Sequence, residues 1–269
     1  MADVSTPEQF ITEIKKDNNT VNVTSDIDFN SLPITSSITL GRGLTVNGNG
    51  HSVYNLQTGT VLNQPIFKSG SSSPLPVFNQ INFYNMFRNE SQVFFSSTND
   101  NYITFNECNF QGRGYALFGE CVLKKCAVNW ESTNGYIDTN TSKTRTWEYC
   151  YINIKARTNT SNSPVSQRNK YINCYFGGEY TYTGTDSTYN IYPNNGNMTS
   201  CVLNIDDKST GLGLSLSSSL LFDTSSPSVI NTTKAKKEAF SKSGLLEATD
   251  AEMKNAQALY DKGFNIIVT

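Results

Sequence analysis

One short pattern, repeated around the cysteines, constrains this chain more than any other feature. The six cysteines fall at 108, 121, 126, 150, 174 and 201, and five of them share a local spacing. An apolar residue is followed by two variable positions, Cys, one variable position and a second apolar residue. The copies read Phe105-Asn-Glu-Cys108-Asn-Phe110, Leu123-Lys-Lys-Cys126-Ala-Val128, Trp147-Glu-Tyr-Cys150-Tyr-Ile152, Tyr171-Ile-Asn-Cys174-Tyr-Phe176 and Met198-Thr-Ser-Cys201-Val-Leu203. An earlier copy, Phe78-Asn-Gln-Ile81-Asn-Phe83, carries Ile at the cysteine position, and Ser217-Ser-Ser-Leu220-Leu-Phe222 reads as a weaker final copy. The markers recur 27, 18, 24, 24, 27 and 19 residues apart. A repeat of that length built on strand-forming residues is the signature of a solenoid.

Strand side chains alternate, so Cys and the apolar residue two places on share one side. If each copy is one rung, Cys108, Cys126, Cys150, Cys174 and Cys201 stack as a ladder about 4.8 Å apart inside a parallel β-helix. The unequal spacings then place insertions in loops between rungs. Six cysteines also fit a disulfide framework, but such frameworks belong to small secreted domains. This chain has 269 residues and opens without a charged segment followed by an apolar run, so no export signal is expected. With no CxxC pair and no His/Cys cluster, zinc is not expected either. The reading is a stack of free thiols.

Composition supports the same picture. Asn, Ser and Thr make up a third of the chain, a share that often accompanies disorder. Aromatic residues at 12% and a net charge of -2 argue instead for strands separated by many turns. The near-neutral balance leaves no basic surface for nucleic acid, and no run approaches the roughly 18 apolar residues of a membrane span. The seven Asn-x-Ser/Thr sequons are about what chance places in so Asn-rich a chain.

Both ends read differently from the repeats. Residues 1–20 are expected to form a capping helix: Ser5-Thr-Pro-Glu8 has capping-box spacing, and Phe10, Ile11 and Ile14 give one apolar face. Residues 21–230 form the β-helix. In 231–262, 11 residues are charged, about a third. There Thr249-Asp-Ala-Glu252 opens a second helix, Gly263 stops it, and Phe264–Val268 reads as a terminal strand. This appendix, 231–269, would cap the rod or dock it onto an assembly.

The opening helix, the strand at 21–29, the Asn47-Gly-Asn-Gly-His-Ser-Val-Tyr-Asn-Leu56 turn and the x-Asn-Cys-x-Phe rungs resemble the pectate-lyase-like superfamily. The resemblance covers roughly residues 5–225. It implies an all-β, right-handed, single-stranded parallel β-helix with an N-terminal helical cap and a short C-terminal helix-plus-strand appendix. That superfamily includes lyases, hydrolases, adhesins and phage tail spikes, so the fold leaves activity open. The run from Ala256 to Ile267 is similar to the ends of some bacteriophage virion proteins. Together these imply a non-enzymatic structural or adhesive virion protein: a head fibre, decoration or tail appendage. It would be made in the host cytoplasm, carried on the particle as a homo-oligomer, and held to capsid or tail proteins through 231–269. No cofactor or metal is expected.

Candidate chemistry is sparse. His51 is the only histidine and lies in the Gly-rich turn, away from any nucleophile motif. The pectate-lyase constellation of clustered Asp and an Arg base is missing around Arg145, Arg157 and Arg168. Glycoside hydrolysis needs two carboxyl groups across a cleft; Glu179, Asp186 and Asp206 are the candidates for a polysaccharide depolymerase acting on host surface glycan. Asp207 and Asp223 are also available, though adjacent Asp206 and Asp207 would face opposite ways on a strand. Tyr180, Tyr182, Tyr189 and Tyr192 stand among Thr, Asn and Asp, a mixture that offers stacking and polar contacts to glycan or protein. The same alternation also describes an exposed strand ladder.

Overall fold

The structure is a computed structural model that describes residues 1–57, 64–70, 73–88, 93–97, 102–119, 121–132, 138–139, 145–158, 169–182, 189–190, 196–205, 214–215, 221–231 and 245–247. The chain is a parallel β-helix. Two ten-stranded sheets and one five-stranded sheet form its faces, and all their strand pairings are parallel. Each turn of chain lays one strand on the first face, crosses a tight corner to the second, and returns by way of the third. Ile103–Asn106, Asn109–Gly114 and Ala116–Gly119 make one such rung, and Cys121–Lys124 begins the next.

The repeated pattern maps directly onto this path. Its first apolar residue points inward from the first face. Val21, Val46, Phe78, Phe105, Leu123, Trp147, Tyr171, Met198 and Phe222 follow one another there in register, all buried. The second apolar residue points inward from the second face, where Ile27, Val53, Phe83, Phe110, Val128, Ile152, Phe176, Leu203 and Ile230 form the matching column. Burying one such side chain stabilises by about 1.5–3 kcal/mol, so these columns carry much of the fold. The final copy is corrected by this register. Phe222 pairs with Met198 and therefore holds the first apolar position, not the last.

The cysteines sit at the corner between the first and second faces, one step before the second-face strand rather than within it. The residue ahead of each of the five ladder cysteines, and ahead of Ile81 in the copy without cysteine, is left-handed: Gln80, Glu107, Lys125, Tyr149, Asn173 and Ser200 have φ between 51 and 55°. That conformation turns the chain sharply and drops the next side chain inside. All six cysteines are buried free thiols. Cys108 donates to Phe78 O at 3.5 Å, Cys126 to Phe105 O at 3.4 Å and Cys174 to Trp147 O at 3.3 Å, each carbonyl lying in an earlier rung. A small side chain with a weak donor fits a corner crowded with carbonyls. Burial pushes the Cys108, Cys150 and Cys201 thiols well above their ordinary range. Cys121 lies apart, at the start of a first-face strand.

At the N-terminal end a helix, Pro7–Glu13, covers the stack with Phe10 and Ile14 fully buried. Its N-cap is Thr6 rather than Ser5. A residue before proline is pushed out of the helical region, and Thr6 is extended at φ -129°, ψ 157°. Thr6 Oγ1 accepts from Gln9 N at 3.3 Å while Gln9 Oε1 accepts from Ser5 N at 2.9 Å. A strand unforeseen in the sequence, Ala2–Val4, precedes the helix and pairs with Thr20–Val23. At the other end the second sheet runs through Ser228–Asn231 to Leu245–Glu247. The expected helix after Thr249 and the strand Phe264–Val268 lie outside the described residues.

Candidate functional site

The exterior of the second face carries a groove of about 480 Å³. It spans the strands Asn82–Phe87, Asn109–Gly114, Ala127–Ser132 and Tyr151–Thr158. A bulge opens it: the register slips between Phe110 and Gly112 opposite Asn85, which is left-handed at φ 49°. Gly112 is needed beside that bulge, because a Cβ there would lie 2.3 Å from Met86 O. Asn85 donates to Asn55, which in turn donates to Asp28 Oδ1 at 2.6 Å, so the bulge is tied to two earlier rungs.

Two outward columns run through the groove, whose lining takes Gln111 and Asn129 from the first and Phe87, Arg113, Glu131 and Lys155 from the second. One runs Gln111, Asn129, Asn153, in register, with Asn153 Nδ2 donating to Asn129 Oδ1 at 3.0 Å. The other runs Phe87, Arg113, Glu131, Lys155, Glu179, with charges alternating from Arg113 onward. The Arg113 guanidinium lies 4.5 Å over the Phe87 ring, a cation–π contact. Gln111 Oε1 is buried and accepts no hydrogen bond from the described residues. Stacked tyrosines flank the groove on the same face, Tyr54 with Tyr84 at 4.7 Å and Tyr151 with Tyr175 at 4.5 Å.

The residues singled out in the sequence distribute as follows. Glu179 stands in register with Lys155 at the end of the charged column, while Asp186 and Asp206 lie outside the described residues. Tyr180 and Tyr182 belong to the second-face strand Tyr175–Tyr182 and Tyr189 to the short strand Tyr189–Asn190; their side chains, and Tyr192 altogether, lie outside what is described. His51 is partly exposed, its Nδ1 3.5 Å from Asp26 Oδ1. Arg145 is buried beneath the first face and Arg157 is on a second-face strand. No group of three or more His, Cys, Asp or Glu among the described residues is arranged to hold a metal ion, and no described helix is long and apolar enough to cross a membrane.

The groove residues Gln111, Arg113, Asn129, Glu131 and Lys155 were missed in the sequence, although a signal exists. They occupy the third and fifth positions after each ladder cysteine. Aligned by rung, the third position reads Gln, Asn, Asn, Gly, Asn and the fifth reads Arg, Glu, Lys, Glu for the first four rungs.

No family model matches this chain. No curated protein matches it either. Among solved structures it is similar to a proposed immunoglobulin A1 protease from Bacteroides ovatus, at 11% identity and a TM-score of 0.50 over 97% of this chain and 87% of that one. At that identity the likeness concerns the fold alone, which is a parallel β-helix in this chain.

Proposed function

We propose that this chain is a non-enzymatic structural and adhesive protein of a bacteriophage virion. In this reading it is a β-helical rod of the pectate-lyase-like kind, exposed on the particle as a fibre, decoration or tail appendage. The observation that carries the non-enzymatic part is the order of charges along the groove. The described carboxylates of the charged column, Glu131 and Glu179, each stand in register beside a cation, and the two do not occupy neighbouring rungs. The exterior also satisfies itself: Asn106 donates to Asn79, Asn79 to Asn47, Asn47 to Asn22 and Asn22 to Asp3 along the first face. A rod with few open edges suits a surface exposed to proteases. Mass spectrometry and immunogold labelling of purified particles from cells producing this chain test the reading; absence from particles overturns it. Docking through 231–269 predicts that a chain ending at residue 230 folds but does not join particles.

The competing reading, a polysaccharide depolymerase, has one observation in its favour. Glu131 and Glu179 lie two rungs apart, about 9.6 Å at a strand spacing of 4.8 Å. That is near the upper end of the separation used by inverting glycosidases. Release of reducing ends from host polysaccharide, lost in both Glu131→Gln and Glu179→Gln, would establish it.

A further inference from the structure

We infer that the second face is the interface of a symmetric dimer, in which a second copy of this chain packs face to face with its rod axis reversed. The inference goes beyond the virion reading above and does not depend on it.

The charged column supplies the first argument. Arg113, Glu131, Lys155 and Glu179 follow one another from rung to rung on the outward side of their strands. Arg113, Glu131 and Lys155 are exposed and Glu179 is half-buried. None of the four makes an ion pair with another described residue of its own chain. Their charges are therefore open to a partner.

Consider a twofold axis parallel to the strands. It reverses the order of the rungs and sets each column against its own copy. Placed between the rungs of Glu131 and Lys155, it puts Arg113 opposite the partner's Glu179 and Glu131 opposite the partner's Lys155. Symmetry repeats both contacts, so all four pairs attract. With the rods parallel, the same column meets like charge at every position. A slip of one rung in the antiparallel arrangement is as bad, since it opposes Arg113 to Lys155 and Glu131 to Glu131. Charge order thus selects one orientation and one register, which is what electrostatics contributes best at an interface.

The amide column obeys the same axis, which brings Asn129 onto the partner's Asn153. Within one chain Asn153 Nδ2 already donates to Asn129 Oδ1. That leaves the Asn129 amide hydrogens and the Asn153 oxygen to meet across the axis, donor to acceptor.

Area gives the third argument. The second face has ten strands, and this axis falls between its fifth and sixth, Ala127–Ser132 and Tyr151–Thr158. The whole sheet therefore overlaps its copy. Nine strand spacings by six residues make a footprint of roughly 43 Å by 20 Å, or about 860 Å² on each copy, the size of a standard stable interface. The groove leaves the facing arginine and lysine side chains room between the two sheets.

Sedimentation equilibrium of the full chain at low and high sodium chloride tests this. The expected species is a dimer at low salt that high salt weakens. Arg113→Glu sets carboxylate against the partner's Glu179 at two symmetry-related places and should weaken the dimer at least about tenfold. Adding Glu179→Arg exchanges the two charges and should restore it. Lys170→Glu makes the same change in net charge on the first face and should leave the dimer intact. Circular dichroism checks that each variant folds. Should either Arg113→Glu or Glu179→Arg fail to fold, Glu131→Lys and Lys155→Glu provide a second exchange, each weakening alone and restoring together. A chain that stays monomeric at low salt overturns the inference, as does assembly at another stoichiometry. Association that Arg113→Glu leaves unchanged, that Lys170→Glu weakens equally, or that the charge exchange fails to restore overturns it as well.

Discussion

Phe83 and Phe110 lie one rung apart with ring centroids 5.3 Å from each other and planes 11° apart. The same stacking joins Phe78 to Phe105 at 5.2 Å, while rings within a rung meet edge to face, as Phe105 and Phe110 do at 5.1 Å. Offset stacking along the axis and T-shaped contact across it are the two geometries aromatic quadrupoles favour. Phe95 and Phe118 close the third side, so two rungs share a six-ring cluster. Phe110→Ala should therefore cost about 3–5 kcal/mol, since its stacked neighbours are held by their own strands and cannot collapse into the gap. Urea denaturation followed by circular dichroism checks this; a loss below about 1 kcal/mol would mean that the cluster is not tightly packed.

The thiol ladder yields a labelling pattern. All six cysteines are 2% exposed or less and free. Ellman's reagent should find essentially no reactive thiol in the native protein and all six in denaturant. Melting temperature should be the same with and without excess dithiothreitol. A reductant-sensitive melt would replace the free-thiol ladder with disulfides.

Tyr149 holds a left-handed corner at φ 55° with its side chain 44% exposed. A non-glycine residue gives up about 1–2 kcal/mol in this region, and Asn gives up less because its side chain bonds locally. Tyr149→Asn should raise stability by about 0.5–1 kcal/mol, read as a higher urea midpoint at unchanged slope. Destabilisation would show that the exposed ring makes up for the backbone.

Alkali should weaken the fold before mild acid does. Burial raises the Tyr54, Tyr84 and Tyr175 phenols, and the charges of Asp28 and Asp26 add to the shift at the first two. The Cys108, Cys150 and Cys201 thiols are raised by burial as well. A group raised in the folded state contributes fully below its unfolded value, and that contribution is lost as pH climbs through it toward the folded value. Melting temperature should fall from about pH 9 upward. The slope should be shallower in the Tyr54→Phe, Tyr84→Phe double variant. A flat profile to pH 11 would contradict the burial of these groups.

Acid acts through a different set. Hydrogen bonds from Gln80 and Lys125 lower the Glu107 carboxyl, and Ser225 lowers Asp223. Depressed carboxyls contribute above their unfolded values and lose that contribution as pH falls through the folded ones. Glu107 is exposed and Asp223 partly exposed, so a small decline confined to below about pH 4 is expected. Glu107→Gln should remove part of it.

The rungs were legible in the sequence because stacking imposes one periodic rule. Whatever points inward at one level must match what points inward above and below, so Phe78, Phe105, Leu123, Trp147 and Tyr171 repeat as a pattern of residue types. The inward direction of the cysteine followed from the same rule, although their corner position did not. That depended on the left-handed residue ahead, and Glu, Lys and Tyr do not advertise such a conformation as Gly or Asn would. Thr6 as N-cap was readable from Pro7, whereas Ala2–Val4 became a strand only because Thr20–Val23 offered it an edge. The groove belongs to tertiary structure for a like reason. Gln111, Asn129 and Lys155 are unremarkable polar residues along the chain, 18 to 26 positions apart. Winding the chain into a parallel stack sets them one rung apart, and the bulge at Asn85 makes their surface concave. The sequence alone therefore determined the rod and its buried columns, where burial enforces a repeat. Only the register between rungs decided the outer face, where solvent accepts most polar residues and leaves a periodic signal that shows only once the rungs are aligned.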